Sequence, residues 1–510
     1  MKGGFVILDF GSQVSQLIAR RLREFEVYSV LLPYDTAVEK IQALEPVGII
    51  LSGGPLSVND SKSPQRDLKE LASIAPLMGI CYGMQLLAKA YGGVVQKANV
   101  QEYGMQKISW SKEFGGIAKE HQVWMSHGDV VSVPPPGFKT IAVSAEGHPA
   151  AMEGEGGRVF SVQFHPEVTH TEYGSEILKQ FVFGVCGAET LWKAPNFTNE
   201  ILEKTKNAIP ADDHVIVGLS GGVDSTVTAR LCTKALGHER VHCVFIDNGL
   251  LRKGEYEEVL ERYKKLGLNV MGVRAEKAFL NTLAGVTDPE EKRKKIGHAF
   301  IDVFDHCVTK MDPKPQWLAQ GTLYPDVIES ISPLGESVTI KSHHNVGGLP
   351  EKMDLKILEP LRELFKDEVR AIGKELGIPP DSLGRHPFPG PGLAIRVLGE
   401  VKKEDLETLK ECDAIFIEEL KKEGLYDSIW QAFCVLLPVN TVGVQGDART
   451  YAKVLALRAV TSADAMTADW FDFPKNFLAK VSNRITNEVR DVNRVVYDVT
   501  SKPPGTIEWE

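Results

Sequence analysis

Three short stretches of this 510-residue sequence hold residue types whose spacing could do chemistry. The first is Gly79-Ile80-Cys81-Tyr82-Gly83-Met84-Gln85, a cysteine between glycines, after one apolar run and before an amphipathic one. A strand-to-helix elbow of this kind exposes a thiol, and the partial positive charge of the helix N-terminus favours the nucleophilic thiolate. The glycines permit a strained backbone and close approach of a substrate. A cysteine by itself is more often core, so the glycine bracket is what singles out Cys81. The second stretch is Val162-Gln163-Phe164-His165-Pro166-Glu167. Residues two apart on an extended chain point the same way, so His165 and Glu167 can project into one site. The carboxylate can then orient the imidazole and stabilise its charged form, completing a nucleophile–base–orienter set. The third is Leu219-Ser220-Gly221-Gly222-Val223-Asp224-Ser225-Thr226. Its glycines let successive N–H groups turn toward an anion, a following helix adds favourable partial charge, and Ser220, Ser225 and Thr226 add hydroxyls. The lysine of G-x-x-x-x-G-K-[ST] is missing, and the spacing is not G-x-G-x-x-G.

Strand–helix alternation must position these groups. Phe5–Asp9, Val27–Leu32, Val47–Leu51 and Ala75–Ile80 read as buried strands, with helices at Gln13–Phe25, Gln65–Ser73 and Met84–Tyr91 between them. A more β-rich half follows, then a closing helix near Glu176–Phe183 and a linker over Gly187–Asn196. A second α/β series starts at His214, with strands His214–Gly218, Val241–Asp247, Asn269–Val273 and Gln316–Gln320. Beyond the Pro/Gly-rich segment His386–Gly392 the rhythm changes to two helices, Glu404–Glu423 and Ala448–Val460, and a polar β-rich tail. The expected fold class is α/β: two parallel-sheet α/β domains, 1–192 and 193–385, and a small C-terminal α+β domain, 386–510. Three domains also fit the length at about 150 residues each.

Composition narrows the classes of function. Hydrophobic residues make up 43% and charged residues 25%, as in an ordinary soluble globular chain. A net charge of −10 argues against broad nucleic-acid binding, which needs basic surface, but leaves anionic small molecules open. No apolar run approaches the roughly 18 residues of a membrane span. Met1-Lys2-Gly3-Gly4 leads directly into a strand, without signal-peptide architecture. The 7 cysteines are scattered, with no C-x-x-C pair, which fits a reducing cytosol. The expected location is cytoplasmic.

The first two stretches resemble the class I glutamine amidotransferases, over about residues 5–185, and Leu51-Ser52-Gly53-Gly54-Pro55 is similar to that family's oxyanion loop. The resemblance implies glutamine hydrolysis through a glutamyl-thioester on Cys81, with His165 and Glu167 as partners. It further implies an oxyanion held by the N–H groups of Gly54 and Tyr82, and a glutamine contact by Gln85. Leu56 departs slightly from the polar residue common at that point. Ser-Gly-Gly-x-Asp-Ser resembles the pyrophosphate loop of the N-type ATP pyrophosphatases, which split ATP between its α and β phosphates and need Mg²⁺. By that resemblance residues Ser220 to Thr226 bind ATP, and Asp224 is a candidate for organising Mg²⁺.

Further segments resemble the glutamine-hydrolysing GMP synthetase family and extend the likeness to nearly the whole chain. They are Asp9–Gln13, Gly321–Ser330, Ile340–Asn345, Arg385–Leu393 and Lys502–Glu508. The family aminates xanthosine 5′-monophosphate (XMP) at C2 with ATP and glutamine, releasing AMP, pyrophosphate and glutamate, and dimerises through its C-terminal domain. The resemblance implies XMP contacts by Arg252, Gln445, Lys502, Ile507 and Glu508. Lys341 and His343 suit a basic lid, and Asp326 and Glu329 lie three apart on one helical face. The implied partners are XMP, ATP, glutamine and a second copy of the chain, with no nucleic acid and no membrane. An NAD or asparagine synthetase is a rival among enzymes, and a non-catalytic nucleotide sensor a rival outside them.

Overall fold

A computed structural model describes residues 2–111, 116–330, 355–445, 448–462 and 467–510. They divide into two compact units. One runs to Phe197 and includes the helix Tyr324–Ser330; the other holds Thr198–Leu323 and the later described residues.

The first unit is built on nine strands: β1 (Phe5–Asp9), β2 (Ser29–Pro33), β3 (Gly48–Leu51), β4 (Leu77–Ile80), β5 (Val94–Trp110), β6 (Glu120–Val133), β7 (Lys139–Ser144), β8 (Pro149–Gly154) and β9 (Val159–Val162). Their order is β2-β1-β3-β4-β9-β8-β7-β5-β6. The β2-β1-β3-β4-β9 half is parallel and the remainder antiparallel. Strands β1, β3, β4 and β9 are buried at every position, as their unbroken apolar runs require when both faces of a sheet are covered. Because they run parallel, the segments after them emerge at one edge, where open α/β sheets bind ligands. Those segments contain Gly53–Gly54, Cys81 and Gln163–Glu167. The closing helix begins at Gly174 and ends in a π-helical turn, Gln180–Val185. The expected linker is anchored: Trp192 is buried, donates its N–H to Glu26 O and packs under the Arg23 guanidinium.

In the second unit β10 (Val215–Leu219), β11 (Val241–Asp247), β12 (Val270–Arg274), β13 (Trp317–Ala319) and β14 (Lys356–Leu358) form a parallel sheet ordered β12-β11-β10-β13-β14. A four-stranded sheet follows, from β15 (Gln431–Gln445), β16 (Ala448–Thr461), β17 (Asp469–Trp470) and β18 (Val492–Tyr497), with the helices Lys403–Lys422 and Lys475–Glu488. One apolar core joins Ile216, Val244 and Phe304 of the parallel sheet's side to Leu409, Leu436 and Val481 of the later part.

One expected element is wrong in type. Ala448–Val460 is strand β16, not helix. Its Ala, Leu, Lys and Arg favour helix, but it pairs with β15, β17 and β18 and is buried continuously from Val454 to Val460. Long-range pairing overrides a local preference worth only tenths of a kcal/mol per residue (about 0–0.7). Among the described residues no helix is long and apolar enough to cross a membrane.

Candidate functional site

Cys81 lies between β4 and the helix α1 (Tyr82–Ala90), with φ 52° and ψ −103°. Positive φ in a non-glycine residue costs about 1–3 kcal/mol and persists only where the surroundings enforce it. Here Cys81 N–H donates to Val162 O (2.8 Å) and Gly83 N–H to Ser52 O (3.1 Å). The strain therefore sits on the cysteine itself. Gly79 and Gly83 serve close packing: a Cβ on Gly79 would lie 2.6 Å from the Gly83 carbonyl carbon, and one on Gly83 2.5 Å from Leu51 O.

Contrary to the expectation from its sequence, the elbow does not expose the thiol: Cys81 is buried with His165 and Glu167. His165 Nδ1 lies 2.7 Å from Glu167 Oε1, and its peptide is fixed by Trp124 O and the Thr171 hydroxyl. Burial by itself would lower the imidazole pKa. The Glu167 charge and hydrogen bonds to Cys81 and Glu167 outweigh it and raise the pKa well above the ordinary value. A protonated imidazole beside a sulfur can stabilise a thiolate and then deliver a proton to a leaving group. Glu167 Oε2 is buried with no hydrogen-bond partner among the described residues, so the carboxylate is committed to the imidazole.

The Gly53–Gly54 turn packs against this group. A Cβ on Gly53 would stand 3.0 Å from His165 Cε1, and one on Gly54 2.9 Å from Phe10 O. The Tyr82 hydroxyl donates to Pro64 O (2.6 Å), so its side chain is a packing element. Its N–H belongs to the first turn of α1, where no intrahelical acceptor exists. Gln85 Nε2 donates to Asp129 O (2.8 Å) and to Gln163 Oε1 (3.3 Å). Sequence reasoning missed Gln163 and the Ser126 carbonyl, each 3.7 Å from the sulfur. Gln163 lies two residues before His165, in the bend that follows β9.

In the second unit the turn Ser220–Gly222 joins β10 to α2 (Val223–Leu236). Much of its hydrogen bonding is internal. Ser220 N–H donates to Ser225 Oγ (3.2 Å), Gly221 N–H to the Tyr263 hydroxyl (3.1 Å) and the Thr226 hydroxyl to Gly222 O (2.7 Å). The donors left without an intrahelical acceptor are thus the first-turn N–H groups of Val223, Asp224 and Ser225, rather than every glycine of the loop. Gly221 has φ +79° and its carbonyl accepts Arg385 Nη1 (3.0 Å), which fixes the turn. Lys366, at the start of α3 (Lys366–Glu375), donates to both Asp224 oxygens (2.6 and 2.5 Å). A lysine absent from the loop's own sequence is therefore brought to it from far along the chain, beyond the reach of motif reading.

Arg252 is partly buried, 3.5 Å from Asp413 Oδ2, and its guanidinium lies over the Phe388 ring. Glu508 accepts from buried Arg396 through Nε (3.1 Å) and Nη2 (2.8 Å), and from Gln431 Nε2 (2.7 Å). Ile507 is buried against Phe433, Val435 and Val460. Lys502 exchanges backbone hydrogen bonds with Ala468. Arg458, fully buried, donates to Thr500 O (2.6 Å) and Thr506 O (3.1 Å) and holds the tail down. Asp326 lies on the helix Tyr324–Ser330, which groups with the first unit. Lys341 and His343, and the side chains of Glu329 and Gln445, lie outside the described residues.

Family models match three parts of the chain: glutamine amidotransferase class-I over residues 6–185, NAD synthase over 196–296 and GMP synthase C terminal domain over 418–509. The chain is 62% identical to "GMP synthase [glutamine-hydrolyzing]" of Bdellovibrio bacteriovorus, covering 99% of this chain and 100% of that one. It is 54% identical to the proteins of the same name from Aquifex aeolicus, over 99% of both chains, and Chlorobaculum tepidum, over 99% and 98%. Fold and site define an enzyme of the ATP-dependent glutamine amidotransferase class. Within that class, the chain belongs to the glutamine-hydrolysing GMP synthase family.

Proposed function

We propose that the chain makes GMP from XMP, ATP and glutamine, with Cys81, His165 and Glu167 hydrolysing glutamine and the 220–226 loop binding ATP. The observation that carries this reading is the buried Cys81–His165–Glu167 set on a strained elbow, in one chain with a helix-N-terminal phosphate turn. The Cys81 thiolate attacks the glutamine amide carbon, and the N–H groups of Gly54 and Tyr82 receive the developing oxyanion. His165 gives its proton to the departing nitrogen, releasing ammonia and leaving the thioester. The now neutral imidazole takes a proton from water, whose oxygen displaces the sulfur as glutamate. In the second unit the XMP C2 oxygen attacks the ATP α-phosphorus and expels pyrophosphate. Ammonia, passed from the Cys81 site, then replaces AMP at C2.

Asp224 suits Mg²⁺ as a single carboxylate, since that ion commonly takes one or two protein carboxylates and fills its shell with phosphate oxygens and water. Among the described residues no group of three or more metal-ligating side chains is assembled, so the substrate phosphates would complete such a shell. When bound, Mg²⁺ supplies charge neutralisation on those phosphates. Arg252, Gln445, Lys502, Ile507 and Glu508 are assigned to XMP, with Ile507 packing from the core and Arg396 and Gln431 fixing the Glu508 carboxylate. Lys341 and His343 are assigned to the lid, and Asp326 and Glu329 to substrate or metal. The functional divisions are 1–192, 193–385 and 386–510. All seven cysteines are free thiols, which supports a cytoplasmic location.

Incubation with XMP, Mg-ATP and glutamine is expected to yield GMP, AMP, pyrophosphate and glutamate in equal amounts; formation of ADP would overturn the reading. Residues 196–296 also favour an NAD synthase, so deamido-NAD in place of XMP is the matched control and is expected to give no product.

A homodimer through the last domain is supported by an exposed apolar face on the β15–β16 hairpin. Val442, Val444 and Tyr451 share it, with Val442 directly opposite Tyr451. Light scattering is expected to give twice the chain mass of 56.2 kDa for the parent, and the single-chain mass for a Val444→Lys, Tyr451→Lys variant. An unchanged mass in that variant would remove this face from the interface.

A further inference from the structure

The Cys81 sulfur has a neighbour besides His165 that can donate to it. Gln163 is 2% exposed, its N–H is held by Ala150 O (2.9 Å), and its side-chain Nε2 lies 3.7 Å from Sγ. The orientation of a side-chain amide is normally ambiguous, because its oxygen and nitrogen have similar shapes. Here a chain of contacts decides it. Asp129 O can only accept, so the Gln85 atom 2.8 Å from it is the NH₂ group. That NH₂ also faces Gln163 at 3.3 Å, so the Gln163 atom meeting it is the oxygen. The Gln163 NH₂ is then left to the sulfur.

The Ser126 carbonyl, 3.7 Å away on another side, can accept the proton of a thiol but repels a thiolate. Gln163 has the opposite preference. Its N–H offers little to a thiol, whose sulfur is a weak acceptor, and much more to a sulfur carrying charge. The hydrogen bond is therefore strongest when Cys81 is a free thiolate and weakest when the sulfur is bound in a thioester. Differential stabilisation of that kind acts at two moments: when the thiolate is formed before attack, and when it departs as water takes its place.

We propose that Gln163 is a catalytic residue of glutamine hydrolysis, donating its side-chain N–H to the Cys81 thiolate in an orientation fixed by Gln85. The inference rests on Cys81 being the nucleophile. It also gives Gln85 a second task. A substrate that engages the Gln85 amide competes for the NH₂ that holds Gln163, so binding is coupled to the hydrogen bond on the sulfur.

The test is the pH profile of Cys81 alkylation by iodoacetamide, read by mass spectrometry of the Cys81 peptide in the parent, Gln163→Met and Gln163→Glu. Methionine fills the space without a donor, and glutamate keeps the shape while placing an oxygen at the sulfur. The alkylation midpoint is expected to rise by about one pH unit in Gln163→Met, a tenfold change in thiolate fraction, and further in Gln163→Glu. Glutamine-dependent kcat should fall by roughly tenfold or more in both, while ammonium-dependent amination of XMP stays at the parent rate. Midpoints that coincide with the parent's in both variants would overturn the proposal, as would a change in KM for glutamine alone. Failure of the underlying reading looks different: a Cys81→Ala protein would then still release glutamate.

Discussion

Replacing Cys81 by alanine is expected to abolish amination from glutamine while leaving amination from ammonium salts near the parent rate. Loss of a covalent nucleophile costs on the order of 10³-fold or more, because no neighbouring group can form the thioester in its place. Its two nearest polar partners other than His165, the Gln163 amide and the Ser126 carbonyl, are not nucleophiles. The substitution should not unfold the unit. Alanine bears the same φ of 52° at a cost similar to that of cysteine, and only one buried atom is removed. The ATP site proposed at Ser220–Thr226, with Lys366 beside it, belongs to the other compact unit. GMP formed from XMP and Mg-ATP would therefore be followed twice, with glutamine and with ammonium chloride, at equal protein concentration. Parent-like glutamate release by the variant would refute Cys81 as nucleophile. Loss of both activities would show that the cysteine supports the fold or the adenylating step.

The elements that position these groups were legible where local pattern and tertiary demand agree. Phe5–Asp9 and Val241–Asp247 are largely apolar runs that end at turns containing a glycine, and the parallel sheets use them as strands. The His165–Glu167 contact that strand periodicity predicts is present, but it forms on a bend and turn beyond the end of β9. Agreement fails in β16, where helix-favouring residues are claimed by β15 on one side and by β17 and β18 on the other, and β18 pairs with Lys453–Leu457 from far outside any local window. The same limit hides Lys366, 142 residues from Asp224, and Arg396, 112 residues from Glu508. Glycine was read for conformational freedom, yet Gly79 and Gly83 are required by volume and the strained φ belongs to the cysteine between them. Sequence periodicity reports which way a side chain points. It does not report what an element from elsewhere brings against it.

Asp224→Asn is expected to have the complementary outcome to Cys81→Ala: amination should fall on the order of 100-fold with glutamine and with ammonium alike. The reasoning runs through charge. The carboxylate lies in the first turn of α2 and accepts two hydrogen bonds from Lys366. An asparagine has almost the same shape but no charge, so it would lose both the ion pair with Lys366 and the negative charge proposed to serve Mg²⁺. The ion pair itself is partly exposed, and such pairs contribute only about 0–1 kcal/mol, so the melting temperature should move by a few degrees at most. Activity lost at nearly constant stability would thus report on the adenylating step. Pyrophosphate–ATP exchange dependent on XMP isolates that step without any ammonia and should fall in parallel. Parent-like exchange in Asp224→Asn would remove the carboxylate from the ATP site. Loss of exchange together with a large fall in melting temperature would assign the Asp224–Lys366 contact to the fold.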